Sequence, residues 1–188
     1  MDSARVETAK GIGVGMNIVT HQGVSPKIHP SVFLADGVHI IGNVEIAKDA
    51  SIWFNSVLRA DINAIYIGER TNIQDGSILH ITKDHPVFVG NDVTVGHRAV
   101  VHGCRIDDGS LIGMGSIILD RARVGKQALV AAGAVVLEGF VVPDGMLAAG
   151  IPAKILRPLT DAEKRGLLES AEHYVAYAQG FRTSIKRN

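Results

Sequence analysis

An aliphatic side chain returns every sixth residue along most of this chain. Ile28, Leu34, Ile40, Ile46, Ile52 and Leu58 stand in unbroken register. Three extra residues precede Ile67, Ile73 and Leu79, and four precede Val89, Val95 and Val101. One residue is then missing, and the series continues through Ile106, Ile112, Ile118, Val124, Val130, Val136 and Val142. Four places after most of these marks stands a small or β-branched residue, as in Val32, Val38, Ala50, Ser56, Thr71, Ser77, Ala99, Ser110 and Ala128; Ile62, Phe140 and Met146 are among the exceptions. A period of six with two inward positions suits a short strand followed by a corner. Three such strands close one triangular coil of 18 residues, and coils stack as parallel strands ~4.8 Å apart. The marks fill the prism, and the small residues sit where the chain turns inward. Gly68, Gly90, Gly96, Gly113 and Gly125, one place after a mark, relieve crowding there. The nineteen marks predict an all-β fold, a parallel β-helix of hexapeptide repeats with about six coils over residues 28–154, preceded by an N-terminal segment, 1–27.

The period changes after Pro152 and Pro158. Thr160-Asp161-Ala162-Glu163 reads as a capping box. Leu167, Ala171, Tyr174 and Ala178 then follow at helical spacing. Residues 155–188 are therefore expected to form a C-terminal α-helix and tail, packed along the prism or across a subunit boundary.

Composition narrows the partners. With 19 basic and 19 acidic residues the formal net charge is zero, so nothing favours nucleic acid or an anionic membrane. No apolar run reaches transmembrane length. The first residues, MDSARVETAKGIGVGMNIV, offer no clean apolar stretch of the kind a secretion signal needs. The single cysteine, Cys104, excludes an intrachain disulfide framework. The expected compartment is a reducing cytoplasm. Cys104, two residues after His102, is a candidate regulatory thiol or, more plainly, a small packed residue at a slip in the repeat.

Candidate chemistry rests on the histidines. His21, His29, His39 and His173 read as solvated or hydrogen-bonded surface side chains. His80, His97 and His102 differ because the repeat places them. His80 and His102 each follow a mark by one, and their marks are 22 residues apart, one coil plus the four-residue insertion. They therefore share one corner position on successive coils, point outward, and can share a metal with Zn–N bonds of about 2.0–2.1 Å. His97 follows its mark by two and falls on the preceding face. A rigid prism cannot aim it at its own His80–His102 pair, but it can reach the pair of a neighbour, and three prisms around a threefold axis close that contact. The same arithmetic puts Arg59 directly below His80 and Asp75 one coil below His97, which predicts an Arg59–Asp75 ion pair across the same interface.

Several stretches then resemble one family. Leu58-Arg59-Ala60-Asp61, Ile67-Gly68, Thr71-Asn72-Ile73-Gln74-Asp75-Gly76-Ser77, His80, Val93-Thr94-Val95-Gly96-His97 and His102-Gly103-Cys104 closely resemble the gamma-class carbonic anhydrases. Ile112-Gly113-Met114-Gly115-Ser116 and Ala149-Gly150-Ile151-Pro152-Ala153-Lys154 resemble them too, so the likeness covers residues 26 to 178. The resemblance implies a left-handed β-helix and a homotrimer with three interfacial sites, each with three histidine ligands. It implies Zn2+, or alternatively Fe2+ or Co2+, and reversible hydration of CO2 to bicarbonate by metal-bound hydroxide. His80, His97 and His102 would be the ligands. Arg59 and Asp75 would organise the interface, Gln74 would orient the hydroxide, Asp61 would join the polar network, and Tyr174 resembles a tyrosine near the site.

The chain also departs from the pattern. Well-studied members carry an acidic loop with a glutamate proton shuttle after the first ligand; here that segment is Ile81-Thr82-Lys83-Asp84-His85-Pro86-Val87-Phe88. Asp84 or His85 could carry protons instead. Ile62 or Asn63 stands where a second glutamate is expected, and Ala176 where some members have Asn. Two other classes stay open on the same scaffold: an acyltransferase or thioesterase, and a metal-stapled trimeric structural protein. The fold alone decides among none of them.

Overall fold

In the computed structural model, which describes residues 15–184, every coil turns its six-residue marks into the interior. Ile40, Ile52, Leu58, Ile73, Leu79, Val95, Val101, Ile112, Ile118, Val130 and Val136 are wholly buried and form one continuous core along the axis. Residues 1–14, most of the 1–19 stretch expected to lack a secretion signal, and residues 185–188 of the tail lie outside the described residues.

The result is a left-handed parallel β-helix whose strands form three flat faces. The first face stacks Phe33–Leu34, Ser51–Ile52, Asn72–Ile73, Thr94–Val95, Leu111–Ile112, Leu129–Val130 and Met146–Gly150. The second carries Ile78–His80, Val100–His102, Ile117–Ile118 and Val135–Val136, and the third Val87–Val89, Arg105–Ile106, Arg123–Val124 and Val141–Val142. His39–Ile46 and Val57–Ile67 run round the corner from second face to third, so their pairing joins both. There are about seven turns rather than the six expected, because Asn17–Val19 already pairs in parallel with His39–Ile41, ahead of the first mark at Ile28. Ala153–Pro158 closes the far end by folding back antiparallel on Met146–Gly150.

Buried hydroxyls at the corners tie one coil to the next. Ser56 Oγ donates to the Gln74 carbonyl at 2.8 Å, Thr71 Oγ1 to Gly90 at 2.7 Å and Ser77 Oγ to Gly96 at 3.1 Å. These bonds satisfy polar groups that the core would otherwise leave unpaired. The glycines one place after a mark do allow close approach: a Cβ on Gly68 would lie 2.4 Å from the backbone of Gly90. A second corner position escaped the sequence pattern. The residue three places after a mark adopts positive φ, whether glycine (Gly76, 68°) or not (Asn55, 60°; Arg70, 55°; Asp92, 55°; Arg98, 59°). Its N–H bonds back to the coil before it, as Arg70 does to Lys48 and Arg98 to Asp75, and that ladder holds a conformation L-residues disfavour.

The C-terminal helix, Asp161–Ser184, packs on the first face of its own prism. Leu167, Ala171 and Ala178 are buried beneath it, and Trp53 meets Tyr174 and Phe181 edge-on at centroid distances of 5.3 and 5.2 Å. Its start is the expected capping box: the Thr160 N–H donates to Glu163 Oε2 at 2.8 Å, and the Glu163 N–H to Thr160 Oγ1 at 3.2 Å.

Arg157 reinforces that cap by gripping Glu163 with both arms of its guanidinium, at 2.7 and 2.9 Å. The hydrogen bonds from Arg157, then those from Thr160, lower the Glu163 carboxyl to about 2. Because the folded value is depressed, this contribution to stability is complete above the ordinary glutamate range and disappears as pH falls toward 2. Carbon-13 NMR titration should find the Glu163 carboxyl midpoint near 2 in the wild type, rising toward the usual value of about 4.3 in Arg157→Ala.

Candidate metal centre

Two corners of the prism carry the candidate chemistry. At the corner between second and third faces, His80 and His102 end adjacent strands and are direct pairing partners, with Arg59 paired below His80. The column predicted from the repeat is therefore present. His80 Nδ1 and His102 Nε2 face each other at 3.0 Å. Two nitrogens bound to one tetrahedral zinc, with bonds of about 2.0–2.1 Å, lie about 3.3 Å apart. The pair is thus spaced for one cation, and imidazole is a suitable donor for Zn, Fe or Co.

The ring atoms turned away from this gap meet carboxylates. His80 Nε2 lies 3.2 Å from Asp61 Oδ1, and His102 Nδ1 contacts Asp120 Oδ1. Arg59 pairs with the other oxygen of Asp61. Burial pushes the Asp61 carboxyl up, but the hydrogen bonds from His80 and Arg59 overcome it and hold the group below the ordinary aspartate value.

At the corner between first and second faces stand His97, Asp75 and Gln74. His97 Nδ1 lies 2.8 Å from Asp75 Oδ2. Gln74 is buried, and its Oε1 accepts the His97 N–H at 3.2 Å while its Nε2 donates to Asn72 Oδ1 at 3.1 Å. Asn72 Nδ2 in turn donates to Thr94 Oγ1 at 3.0 Å, and Thr94 meets Ser170 of the helix at 3.2 Å. Tyr174 comes from the same helix. Burial, then the charge of Asp75, raises its phenol. Gln74, His97, Gly96, Met114 and Ser170 border a groove of about 350 Å3 beside this network.

The sequence-derived residues therefore fall into two sets: Arg59, Asp61, His80 and His102 at one corner, Gln74, Asp75, His97 and Tyr174 at or near the other. Among the described residues no three His, Cys, Asp or Glu side chains of the single chain gather as a metal-holding group. Arg59 and Asp75, expected to meet across an interface, are each engaged within the chain, with Asp61 and His97. Asp84 is exposed, and His85 is held by its N–H bond to Thr82 Oγ1 at 3.0 Å. Cys104 is buried in the prism and burial pushes its thiol far up, the condition of a packed residue and not of a reactive thiolate.

Two features escaped the sequence reading. The Asn72–Thr94–Ser170 chain needs the helix in place and leaves no periodic mark. Asp120 was legible, since the coil that holds the one-residue deletion has 17 residues, so that Asp120, 18 after His102, falls one place past its column.

Comparison with known proteins decides the family. A carbonic anhydrase of Geobacillus kaustophilus is 48% identical over 165 residues, covering 88% of this chain and 91% of that protein. The chain belongs to the gamma carbonic anhydrase family. Gamma carbonic anhydrase 2, mitochondrial, of Arabidopsis thaliana is 43% identical over 161 residues, 82% of this chain; the chain spans only 58% of that plant protein. A crystal structure described as a hexapeptide transferase family protein from Anaplasma phagocytophilum superposes with a TM-score of 0.85 at 41% identity, covering 88% of this chain and 98% of the other. No family model matches the chain. Within the gamma carbonic anhydrase fold seen here, no described helix is long and apolar enough to cross a membrane.

The buried network behind Gln74 makes a measurable claim. Asn72→Ala removes the partner of Gln74 Nε2 and of Thr94 Oγ1 in a fully buried place. Chemical denaturation should register a loss of about 1–3 kcal/mol, the usual cost of stranding a buried polar group.

Proposed function

We propose that this gamma carbonic anhydrase family member is a metal-dependent carbonic anhydrase, interconverting CO2 and bicarbonate at the subunit interfaces of a homotrimer in the cytoplasm. One observation carries the reading. Two imidazole nitrogens face each other at 3.0 Å on one corner, while the third histidine, held by Asp75, sits on a different corner of the same chain. Such a chain holds two parts of one site, and each part is completed by a neighbour.

In the proposed trimer His80 and His102 of one subunit and His97 of the next hold the cation, zinc by the donor set, with iron or cobalt as alternatives. A bound divalent cation supplies activation of water near pH 7, a value characteristic of zinc in carbonic anhydrases rather than one obtained from this chain. Gln74, its amide fixed by Asn72 and His97, orients the attacking water. Asp61 holds His80, Asp75 holds His97, and Tyr174 lines the approach. Arg59, which pairs with Asp61 in its own chain, would also reach the neighbour's Asp75 across the interface, one coil below the histidines.

Stopped-flow CO2 hydration on zinc-replete protein tests this reading. kcat/KM should rise with pH through a midpoint near 7 and vanish on complete chelation. Because the short Ile81–Phe88 segment lacks the glutamate loop, kcat should be low and should climb with imidazole buffer. Activity that survives chelation excludes the mechanism. Acyl transfer, suggested by the hexapeptide transferase relative, would instead appear as chelator-resistant turnover of acetyl-coenzyme A.

His97→Ala should lose metal and trimer together, by metal analysis and by sedimentation, since its imidazole would bridge chains. A variant that kept full metal content would exclude the bridge.

A further inference from the structure

We propose that Asp120 is a positioning residue for His102. In this view its carboxylate takes the Nδ1–H of the ring, fixes the tautomer, and leaves Nε2 as the metal-facing donor. The inference rests on the metal reading above and adds a residue to it.

Three observations converge on this. The first is the contact itself: His102 Nδ1 meets Asp120 Oδ1 while Nε2 of the same ring faces His80. Both nitrogens thus have separate partners, and the one turned toward the pair is the one the carboxylate leaves free. The second is the register. The single missing residue between Val101 and Ile106 shifts the next coil by one place relative to the histidine column, so that Val101 pairs with Ile118 and the Arg121 N–H donates to the Gly103 carbonyl at 2.8 Å. Asp120 therefore stands opposite Gly103, immediately beside His102, rather than in line above it. The third is the space. A Cβ at position 103 would lie 2.6 Å from Asp120 Oδ1, a distance real Cβ atoms do not show. Glycine at 103, at a φ of +49°, leaves the carboxylate room to reach the ring.

The next acid in line has other work. Glu138, one coil beyond Asp120, pairs with Arg121 at 2.8 Å. Among the described residues the ion-pair partner of Asp120 is His102. A carboxylate on the far nitrogen of a ligating imidazole orients the ring and raises its basicity as a ligand. Asp61 occupies the equivalent place on His80, so both histidines of this corner are held from behind.

The test is zinc affinity of the assembled protein, read by competition with a chromophoric chelator, together with the visible spectrum of the Co2+-substituted protein. Asp120→Ala should weaken zinc about 10–100-fold and shift the cobalt bands, while Glu138→Gln, on the same corner, leaves both unchanged. Zinc-loaded wild type should show His102 protonated at Nδ1 in histidine nitrogen-15 NMR. Should Asp120→Ala fail to assemble, the near-isosteric Asp120→Asn carries the test, with the same direction and a smaller loss. Wild-type affinity with an unshifted cobalt spectrum in the decisive variant overturns the inference. His102→Ala separates the two readings. If it binds zinc as tightly as wild type, the metal centre itself is wrong and this inference fails with it. If it loses zinc while the Asp120 variant does not, only the role of Asp120 falls.

Discussion

Everything in this molecule depends on keeping an aliphatic side chain pointed into the prism once every six residues. Parallel stacking transmits that requirement along the axis, because each strand hydrogen-bonds to the strands one coil before and after it. A slip inside a strand would turn its inward residue outward. Length changes are therefore confined to corners, and all three in this chain fall at one corner, between the second and third faces. That corner carries Arg59, Asp61, His80, His102 and Asp120. The insertions and the deletion are tolerated where the core does not see them, and there they move side chains relative to one another.

This explains what could be read in the sequence. Leu58, Leu79 and Val101 fix the coil count and the histidine column, since core packing leaves them no freedom, and His80, His102 and Arg59 follow as neighbours one place on. Asn17–Val19 was missed because its residues are exposed in the first coil and carry no inward mark. The positive-φ corner was missed because Asn, Arg and Asp fill it as well as Gly; backbone bonding enforces it, not residue type. Asp120 was missed for a related reason. Counting 18 residues finds it, but only the strand register shows that the deletion turns a next-coil neighbour into a partner of His102.

The two corners are built by different physics. Behind His97 the polar groups Gln74, Asn72 and Thr94 are buried and chained to the helix residue Ser170, while His97 and Asp75 themselves stand out from the prism, at 44% and 40% side-chain exposure. His80 and His102 are less exposed, at 20% and 31%, pack against each other, and are held by Asp61 and Asp120. In the proposed interfacial site both halves would therefore meet outside the prism, where closing on a cation leaves the core undisturbed. The His80–His102 corner would supply two neighbouring nitrogens, and the His97 corner, with Asp75 on the ring, the third.

Charge gives the last constraint. Each histidine of the proposed set is backed by one carboxylate: Asp61 on His80, Asp75 on His97, Asp120 on His102. Arg59 is the cation paired into this group, through Asp61. In the proposed site, where a neighbour brings the two corners together, these groups would surround the imidazoles with net negative charge, which a cation offsets. Asp120 would contribute one of these charges as well as orienting His102, so the carboxylate that the deletion brings to this corner would belong to the electrostatics of the site and not only to its geometry.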